Sequence, residues 1–151
     1  MKDIEFFVEG IPKAQARPCA FYNKKTGRAG VYDKGNSAEW KYKIIEACKK
    51  NNFDSFKDSP IHLGICFYMP RPKDHFISGN IDKGKKASSP TRHTKKPDLD
   101  NLEKAVMDAL TDYGMWNDDS FVCSKNSIKI YGDDEFGVNI LIETLGKHDN
   151  I

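Results

Sequence analysis

The sequence has no long uncharged apolar run. A helix that crosses a bilayer needs about 20 consecutive apolar residues, and no stretch of the 151 residues reaches that length. The first five residues carry charges at Lys2, Asp3 and Glu5, where a signal peptide would have an apolar core. We therefore expect a soluble, cytoplasmic protein.

Cysteine is scarce and shows no pairing pattern. Cys19, Cys48, Cys66 and Cys123 form no Cys-x-x-Cys element, and no histidine cluster accompanies them. This spacing argues against a structural zinc site and favours reduced thiols. A length of 151 residues is ordinary for one domain, so we predict a single domain over residues 1–151.

The small net charge hides an asymmetry along the chain. The formal charge is +2, yet residues 1–95 carry 19 Lys and Arg against 10 acids, whereas residues 96–151 carry 5 against 12. A basic surface attracts phosphates, and an acidic pocket repels them until a cation binds there. The combination suits a ligand that carries phosphates and is held through a cation.

The acidic part opens with the segment KPDLDNLEK, residues 96–104. Asp100 followed three residues later by Glu103 has the form of a capping box, which predicts a helix N-terminus at Asp100 with Asp98 just upstream. Both carboxylates then lie at one helix end. Gly114 is placed to end this helix. Its predicted core-facing stripe consists of Leu102, Ala105, Val106, Ala109, Leu110 and Tyr113.

The spacing alone leaves two interpretations of these charges open. Lys104 lies off the apolar stripe, one turn after Asp100, so its ammonium can reach that carboxylate or a phosphate held above it. Carboxylates at a helix start are also ordinary capping and dipole chemistry. Asp118 and Asp119, in the downstream segment GMWNDD, could equally form a solvated turn.

The ordered set Asp-x-Asp-Asn-Leu-x-Lys, then a helix, then Gly-x-Trp-x-Asp-Asp resembles the RusA family of Holliday junction resolvases. The resemblance is close from Asp98 to about Lys129. It continues more loosely through residues 10–18 and 32–40, so it touches most of the chain. Cys19 is a departure, because relatives often carry a second basic residue directly after Arg-Pro.

The resemblance implies a catalytic site. The family's metal ligands correspond to Asp98, Asp100 and Asp119. Its essential lysine corresponds to Lys104, and Asp118 is expected only in an outer coordination shell. Carboxylate oxygens suit Mg²⁺, for which Mn²⁺ substitutes. The implied protein is a homodimeric, metal-dependent endodeoxyribonuclease that resolves four-way DNA junctions by paired symmetric nicks.

Two other functions stay open. In the first, the acids are helix caps and the protein is a catalytically silent junction-binding or DNA-binding protein. In the second, the same ligands serve a less selective metal-dependent nuclease. Branch selectivity depends on how two subunits are spaced, which a single sequence does not record.

The longest irregular stretch is the basic segment 70–97, with eight Lys and Arg against two Asp. Loops of this length are usually functional or disordered. Its position before Asp98 favours a flexible loop that lies over the DNA backbone and orders on binding. The residues that we expect to contact DNA are Lys13, Arg17, Arg71, Lys73, Lys95 and Lys96.

The pattern of apolar residues and turn signals in the rest of the chain predicts the fold class. A helix is predicted from Asn36 and Glu39 onward, a bulge near Lys125, and a short hairpin within residues 10–35. Alternating apolar residues predict strands over residues 4–8, 61–69, 121–130 and 138–142. Together these elements predict an α+β domain, RusA-like, with a small mixed β-sheet and two principal helices.

Overall fold

The computed structural model describes residues 3–15, 18–33 and 37–148. Within these ranges the chain forms six strands and two α-helices. The strands are β1 (Asp3–Glu9), β2 (Pro18–Asn23), β3 (Arg28–Asp33), β4 (Ile61–Met69), β5 (Val122–Tyr131) and β6 (Gly137–Thr144). The helices are α1 (Ser37–Asn51) and α2 (Leu99–Tyr113). Short 3-10 turns lie at Lys73–His75, Ile77–Gly79, Ile81–Lys83 and Asp119–Phe121.

The main sheet is mixed and has four strands in the order β1-β6-β4-β5. The β1/β6 and β6/β4 pairs are antiparallel, whereas β4 and β5 run parallel. β2 and β3 form a separate two-stranded hairpin. The predicted α+β architecture, with a mixed sheet and two principal helices, is confirmed.

The core lies between the two helices and one face of the sheet. β4 buries alternate residues because successive side chains of a strand point to opposite faces. The helices bury residues three and four apart, as predicted for one apolar stripe on each. The central buried side chains are Trp40, Ile44, Cys48, Leu63, Ile65, Phe67, Leu102, Val106, Leu110, Trp116, Val138, Ile140 and Ile142.

The bulge in β5 differs from its predicted position, and the predicted cap of α1 cannot be compared. Ile61 pairs with Val122 and His62 with Ser124, so the extra residue of β5 is Cys123. The predicted bulge near Lys125 is therefore wrong by two residues, since a change of apolar parity marks only an interval that contains the bulge. Asn36, predicted to cap α1, lies outside the described residues.

The segment 70–97 follows a defined path along the sheet. Phe76 forms an isolated bridge with Lys85, and Arg92 forms another with Ile130 of β5. The backbone N–H of Tyr131 also donates to the Thr91 carbonyl at 2.9 Å. The last part of the segment is thus hydrogen-bonded to β5. Its mobility and its ordering on DNA stay predictions.

Arg71 ties the start of this segment to the fold. Its Nε donates to Asp133 Oδ1 at 2.8 Å, and its Nη1 donates to the Pro90 carbonyl at 2.7 Å. The guanidinium lies 4.9 Å from the centre of the Tyr131 ring, and the side chain is only 3% exposed. The hydrogen bond from Arg71 lowers the pKa of Asp133. Most N–H groups of the guanidinium are used in this way, which gives Arg71 a structural role, and its contact with DNA stays a prediction.

Arg71→Lys should separate these two roles. Lysine keeps the charge but loses the planar fork that reaches two acceptors at once. We expect the free energy of unfolding in urea to fall by about 2 kcal/mol. Affinity of the folded protein for a DNA junction should stay unchanged. A stable variant that binds DNA poorly would instead show that Arg71 contacts DNA.

Candidate active site

The N-terminus of α2 carries two of the predicted ligands. The helix begins at Leu99 with Asp98 as N-cap, one residue before the predicted start at Asp100. The predicted capping box does not form, because Glu103 pairs with Lys125 of β5 at 3.0 Å. Asp98 and Asp100 nevertheless lie at one helix end, as predicted. The positive end of the helix dipole stabilises carboxylates at this place.

A lysine already neutralises Asp98. Lys96 Nζ lies 2.9 Å from Asp98 Oδ1 and 3.0 Å from its Oδ2. The Lys96 side chain is 85% exposed, so solvent screens the pair and either partner can exchange it for another ion. Asp100 Oδ1 accepts a hydrogen bond from the Asn101 N–H at 2.9 Å. A positive charge therefore lies against one of the two carboxylates.

Lys129 of β5 holds the chain that leads into Asp98. Its Nζ donates to the carbonyls of Lys95 and Pro97, at 2.6 Å each. Burial lowers the pKa of Lys129, and the nearby charge of Asp98 opposes that shift. Lys129 is not among the site residues predicted from the sequence. The sequence signal that could have pointed to Lys129 is its place between two apolar residues, Ile128 and Ile130, of a predicted strand.

Four of the predicted DNA-binding cations line one cleft that reaches Pro97, next to this helix end. They are Lys13, Arg71, Lys95 and Lys96, and the cleft has a volume of about 660 Å³. The segment between β1 and Gln15 is held beside α2, because the Gln15 N–H donates to the Asn101 carbonyl at 2.9 Å. A cleft with cations on its rim and two carboxylates beside it suits a phosphodiester backbone.

Lys73 and Lys104 do not line that cleft. Lys73 belongs to an exposed 3-10 turn and lies outside that cleft. Lys104, 63% exposed, has its ammonium 3.9 Å from Asp108, one turn further along α2. Arg17 lies outside the described residues.

Asp119 lies at the other end of α2. Its Oδ1 accepts a hydrogen bond from Thr111 Oγ1. Trp116 Nε1 donates to the same Thr111 oxygen at 2.8 Å and approaches Asp119 Oδ1 to 3.4 Å. Trp116 is 1% exposed. A buried indole and a helix hydroxyl therefore fix the Asp119 carboxylate.

Asp118 has a different role from its neighbour. Its carboxylate accepts from the Ser120 N–H at 2.8 Å and caps the 3-10 turn Asp119–Phe121. This backbone hydrogen bond lowers the pKa of Asp118. Asp118 thus orders the turn that presents Asp119.

The three predicted metal ligands do not meet within one chain. Thr111, the partner of Asp119, follows Asp100 by eleven residues of a single helix, which corresponds to about 16 Å of axial rise. Among the residues that the structure describes, no group of three or more His, Cys, Asp or Glu is placed to hold a metal ion. The structure thus places Asp98 and Asp100 at one end of α2 and Asp119 at the other, and their binding of a metal stays a prediction.

His93 lies between the cleft and β5. It is 8% exposed, and its ring centre lies 4.9 Å from that of Tyr131. Its Nδ1 is buried and finds no hydrogen-bond partner among the described residues. Burial, and after it the charge of Lys129, lowers the pKa of His93 below the ordinary 6.5.

This shift predicts a pH dependence of stability. Below about pH 6.5 the unfolded chain binds a proton that the folded protein does not take up at His93. The stability that neutral His93 contributes is therefore fully present above about pH 6.5. It is lost as the pH falls through the pKa that His93 has in the folded protein. We expect His93→Phe to reduce the decline measured by urea unfolding between pH 8 and pH 5. One proton accounts for at most about 1.4 kcal/mol per pH unit. Equal declines in both proteins would contradict this assignment.

Comparison with known proteins adds two findings. A family model described as "Endodeoxyribonuclease RusA" matches residues 9–143. The chain is also 30% identical over 135 residues to the Bacillus subtilis (strain 168) protein YqaN, which is described as uncharacterized. That alignment covers 89% of this chain and 92% of YqaN. In the described ranges, no helix has the length and apolar composition needed to cross a membrane.

Proposed function

Because the chain belongs to the RusA endodeoxyribonuclease family, we propose that it resolves four-way DNA junctions by two symmetric nicks, as a homodimer that requires Mg²⁺ or Mn²⁺. The family acts on branched DNA junctions, so a junction-resolving endonuclease is the general activity. The metal requirement, the dimer and the paired nicks are the proposal.

The observation that carries the proposal is the helix end beside the cationic cleft. Asp98 and Asp100 lie in the first turn of α2, and Lys13, Lys95 and Lys96 line the adjoining cleft. The lysines offset the repulsion between carboxylates and DNA, while the helix N-terminus itself favours an anion. Phosphate can therefore approach acidic groups that would otherwise exclude it.

The donor chemistry suits a hard divalent cation, but the geometry of one chain does not complete the site. Carboxylate oxygens are the ligands that Mg²⁺ and Mn²⁺ prefer. The position of Lys96 against both oxygens of Asp98 indicates that this carboxylate accepts a cation. Asp119, however, lies at the opposite end of α2. A single chain therefore does not bring the three predicted ligands to one cation.

The chain's own cations have clear roles in this proposal. Lys13, Lys95 and Lys96 bind the phosphate backbone and position it at α2. Lys104 is an exposed point charge on the same helix, and it stabilises charge that develops on a phosphate oxygen. Lys129 positions Asp98 by holding the carbonyls on either side of Lys96.

The separation of Asp119 from the other two acids favours one competing function. If Asp119 never meets Asp98 and Asp100 at one metal ion, the protein binds junctions without cutting them. The sequence left this junction-binding function open, and it predicts DNA affinity that does not depend on metal.

The test is cleavage of a labelled mobile four-way junction, beside linear duplex and flap controls, with Mg²⁺, Mn²⁺ or EDTA. Symmetric paired nicks on the junction alone, lost with EDTA, would support the proposed function. Binding without cutting under every metal would identify a junction-binding protein. Equal cutting of all substrates would identify a less selective nuclease.

A further inference from the structure

We propose that Ile77 and Ile81 form an apolar wedge that enters the branch point of a four-way junction and unstacks the bases there. The two side chains lie at the tip of a finger, residues 75–86, within the basic segment 70–97. This role rests on the proposed function in taking a DNA junction as the ligand, and it requires neither a metal nor strand cleavage. It gives the segment a part in selecting branched DNA, beyond contact with the DNA backbone.

Backbone pairing gives the finger a defined shape. Phe76 and Lys85 form an antiparallel bridge, and the Ile77 N–H donates to the Gly84 carbonyl at 3.0 Å. The chain between these pairs forms two short 3-10 turns. The finger is therefore a closed hairpin with its tip at residues 77–84.

Contacts at its base hold the finger on the end of the main sheet. Lys85 Nζ lies 3.3 Å from Asp133 Oδ2, on the same carboxylate that Arg71 binds. The His75 ring meets the Tyr131 ring edge to face, with 4.8 Å between the ring centres. Asp133 lies in the turn between β5 and β6, and Tyr131 ends β5. Such anchoring favours insertion into DNA, because a tip that is already ordered loses little conformational entropy on binding.

The tip presents apolar surface to solvent. Ile77 is 45% exposed and Ile81 is 66% exposed. Gly84 joins the two, since its N–H donates to the Ile81 carbonyl at 3.1 Å and its carbonyl accepts from Ile77. Proteins that kink DNA use apolar side chains, isoleucine among them, as wedges between base steps. Two isoleucines on one anchored tip therefore have the chemistry of a wedge.

Charge around the tip favours DNA as its partner. Lys73, Lys83 and Lys86 are exposed, and segment 70–97 carries eight Lys and Arg against two Asp. These cations attract the phosphates that surround a branch point. The same cations repel the finger of a second copy of this chain. Branched DNA therefore matches both the apolar tip and the cations around it.

The finger adjoins the cationic cleft beside α2. Ile81, Phe76 and Lys73 line a hollow of about 360 Å³ together with Arg71, and Arg71 also lines the cationic cleft. The two hollows meet at Arg71, so a strand whose phosphates follow the cleft reaches the finger. An unstacked base there meets an aromatic ring and a cation, which are the groups that bind single-stranded nucleic acid.

The test measures base unstacking directly and without cleavage. A synthetic four-way junction carries 2-aminopurine at one branch-point position, where fluorescence rises when this base loses its stacked neighbours. The protein is added in EDTA. We expect the wild type to raise the fluorescence at least about twofold, and the double variant Ile77→Ala with Ile81→Ala to lose most of that rise at saturating protein. Both positions are exposed, so this variant should fold normally, which unfolding in urea checks.

Two further double variants separate the wedge from its cations. Ile77→Leu with Ile81→Leu keeps the apolar surface and should keep the fluorescence rise. Lys83→Gln with Lys86→Gln removes two charges and should weaken binding to the junction and to linear duplex alike, while the rise at saturation stays. The alanine variant should instead lose about tenfold in affinity for the junction and little for the duplex.

The outcomes distinguish the wedge from the nuclease. A full fluorescence rise with the alanine variant, or no rise with wild-type protein bound to the junction, would overturn the wedge and leave the nuclease proposal standing. An alanine variant that changes its oligomeric state and not the fluorescence would show that the tip docks on a second copy, which also overturns the wedge. A rise that is lost in the alanine variant, in a protein that nicks no substrate with Mg²⁺ or Mn²⁺, would keep the wedge and reject the nuclease.

Discussion

Asp100→Asn should lower junction nicking by about a thousandfold while leaving junction binding intact. The amide has the shape of the carboxylate but carries no charge, so it is a poor ligand for Mg²⁺. Asp100 is exposed in the first turn of α2, and the core stripe of that helix does not include it. Folding should therefore change little. Loss of a negative charge beside DNA should maintain affinity for the junction or raise it.

The measurement is gel-resolved nicking of a labelled junction under single-turnover conditions, together with binding in EDTA. Asp134→Asn serves as the matched control, because it makes the same chemical change at an exposed position between β5 and β6. The control should nick at the wild-type rate. Normal nicking by the Asp100→Asn variant would show that this carboxylate only stabilises the N-terminus of α2.

The fold was predictable because its patterns are local. The stripe from Leu102 to Tyr113 and the alternation in β4 each report which face of an element is buried. Gly114, which has a left-handed φ of 91°, ends α2 where the sequence predicted. The start of α2 was less certain, because Asp98 and Asp100 are both good residues for a helix end and only the backbone decides between them.

The site was less predictable, because contacts between distant segments decide it. Lys129 reaches the carbonyls around Lys96 only because β5 runs back along α2, and nothing near Lys129 in the sequence records that path. Arg71 looked like one more cation in a basic segment, yet Asp133 and Tyr131 hold it inside the fold. The resemblance named Asp98, Asp100 and Asp119 as one set without saying whether one chain brings them together.

Trp116 should show two separable effects, one on stability and one on Asp119. Trp116→Ala removes a large buried side chain and should lower the free energy of unfolding by about 4 kcal/mol. Trp116→Phe keeps most of the packing but removes the N–H that reaches Thr111 Oγ1. Thr111 then loses the donor that orients its hydroxyl toward Asp119. We expect this variant to bind Mn²⁺ and nick junctions about tenfold to a hundredfold more weakly, with a much smaller loss of stability.

Trp40→Phe is the control for that comparison, because it makes the same change in the same core. Trp40 is 2% exposed, and its Nε1 is buried without a hydrogen-bond partner among the described residues. Removing that N–H removes an unsatisfied donor, which offsets part of the cost of the lost ring volume, so the loss of stability should be no larger than for Trp116→Phe. Mn²⁺ affinity should stay at the wild-type value. If Trp116→Phe and Trp40→Phe affect Mn²⁺ binding equally, Trp116 serves only the core, whereas a selective loss shows that it positions Asp119.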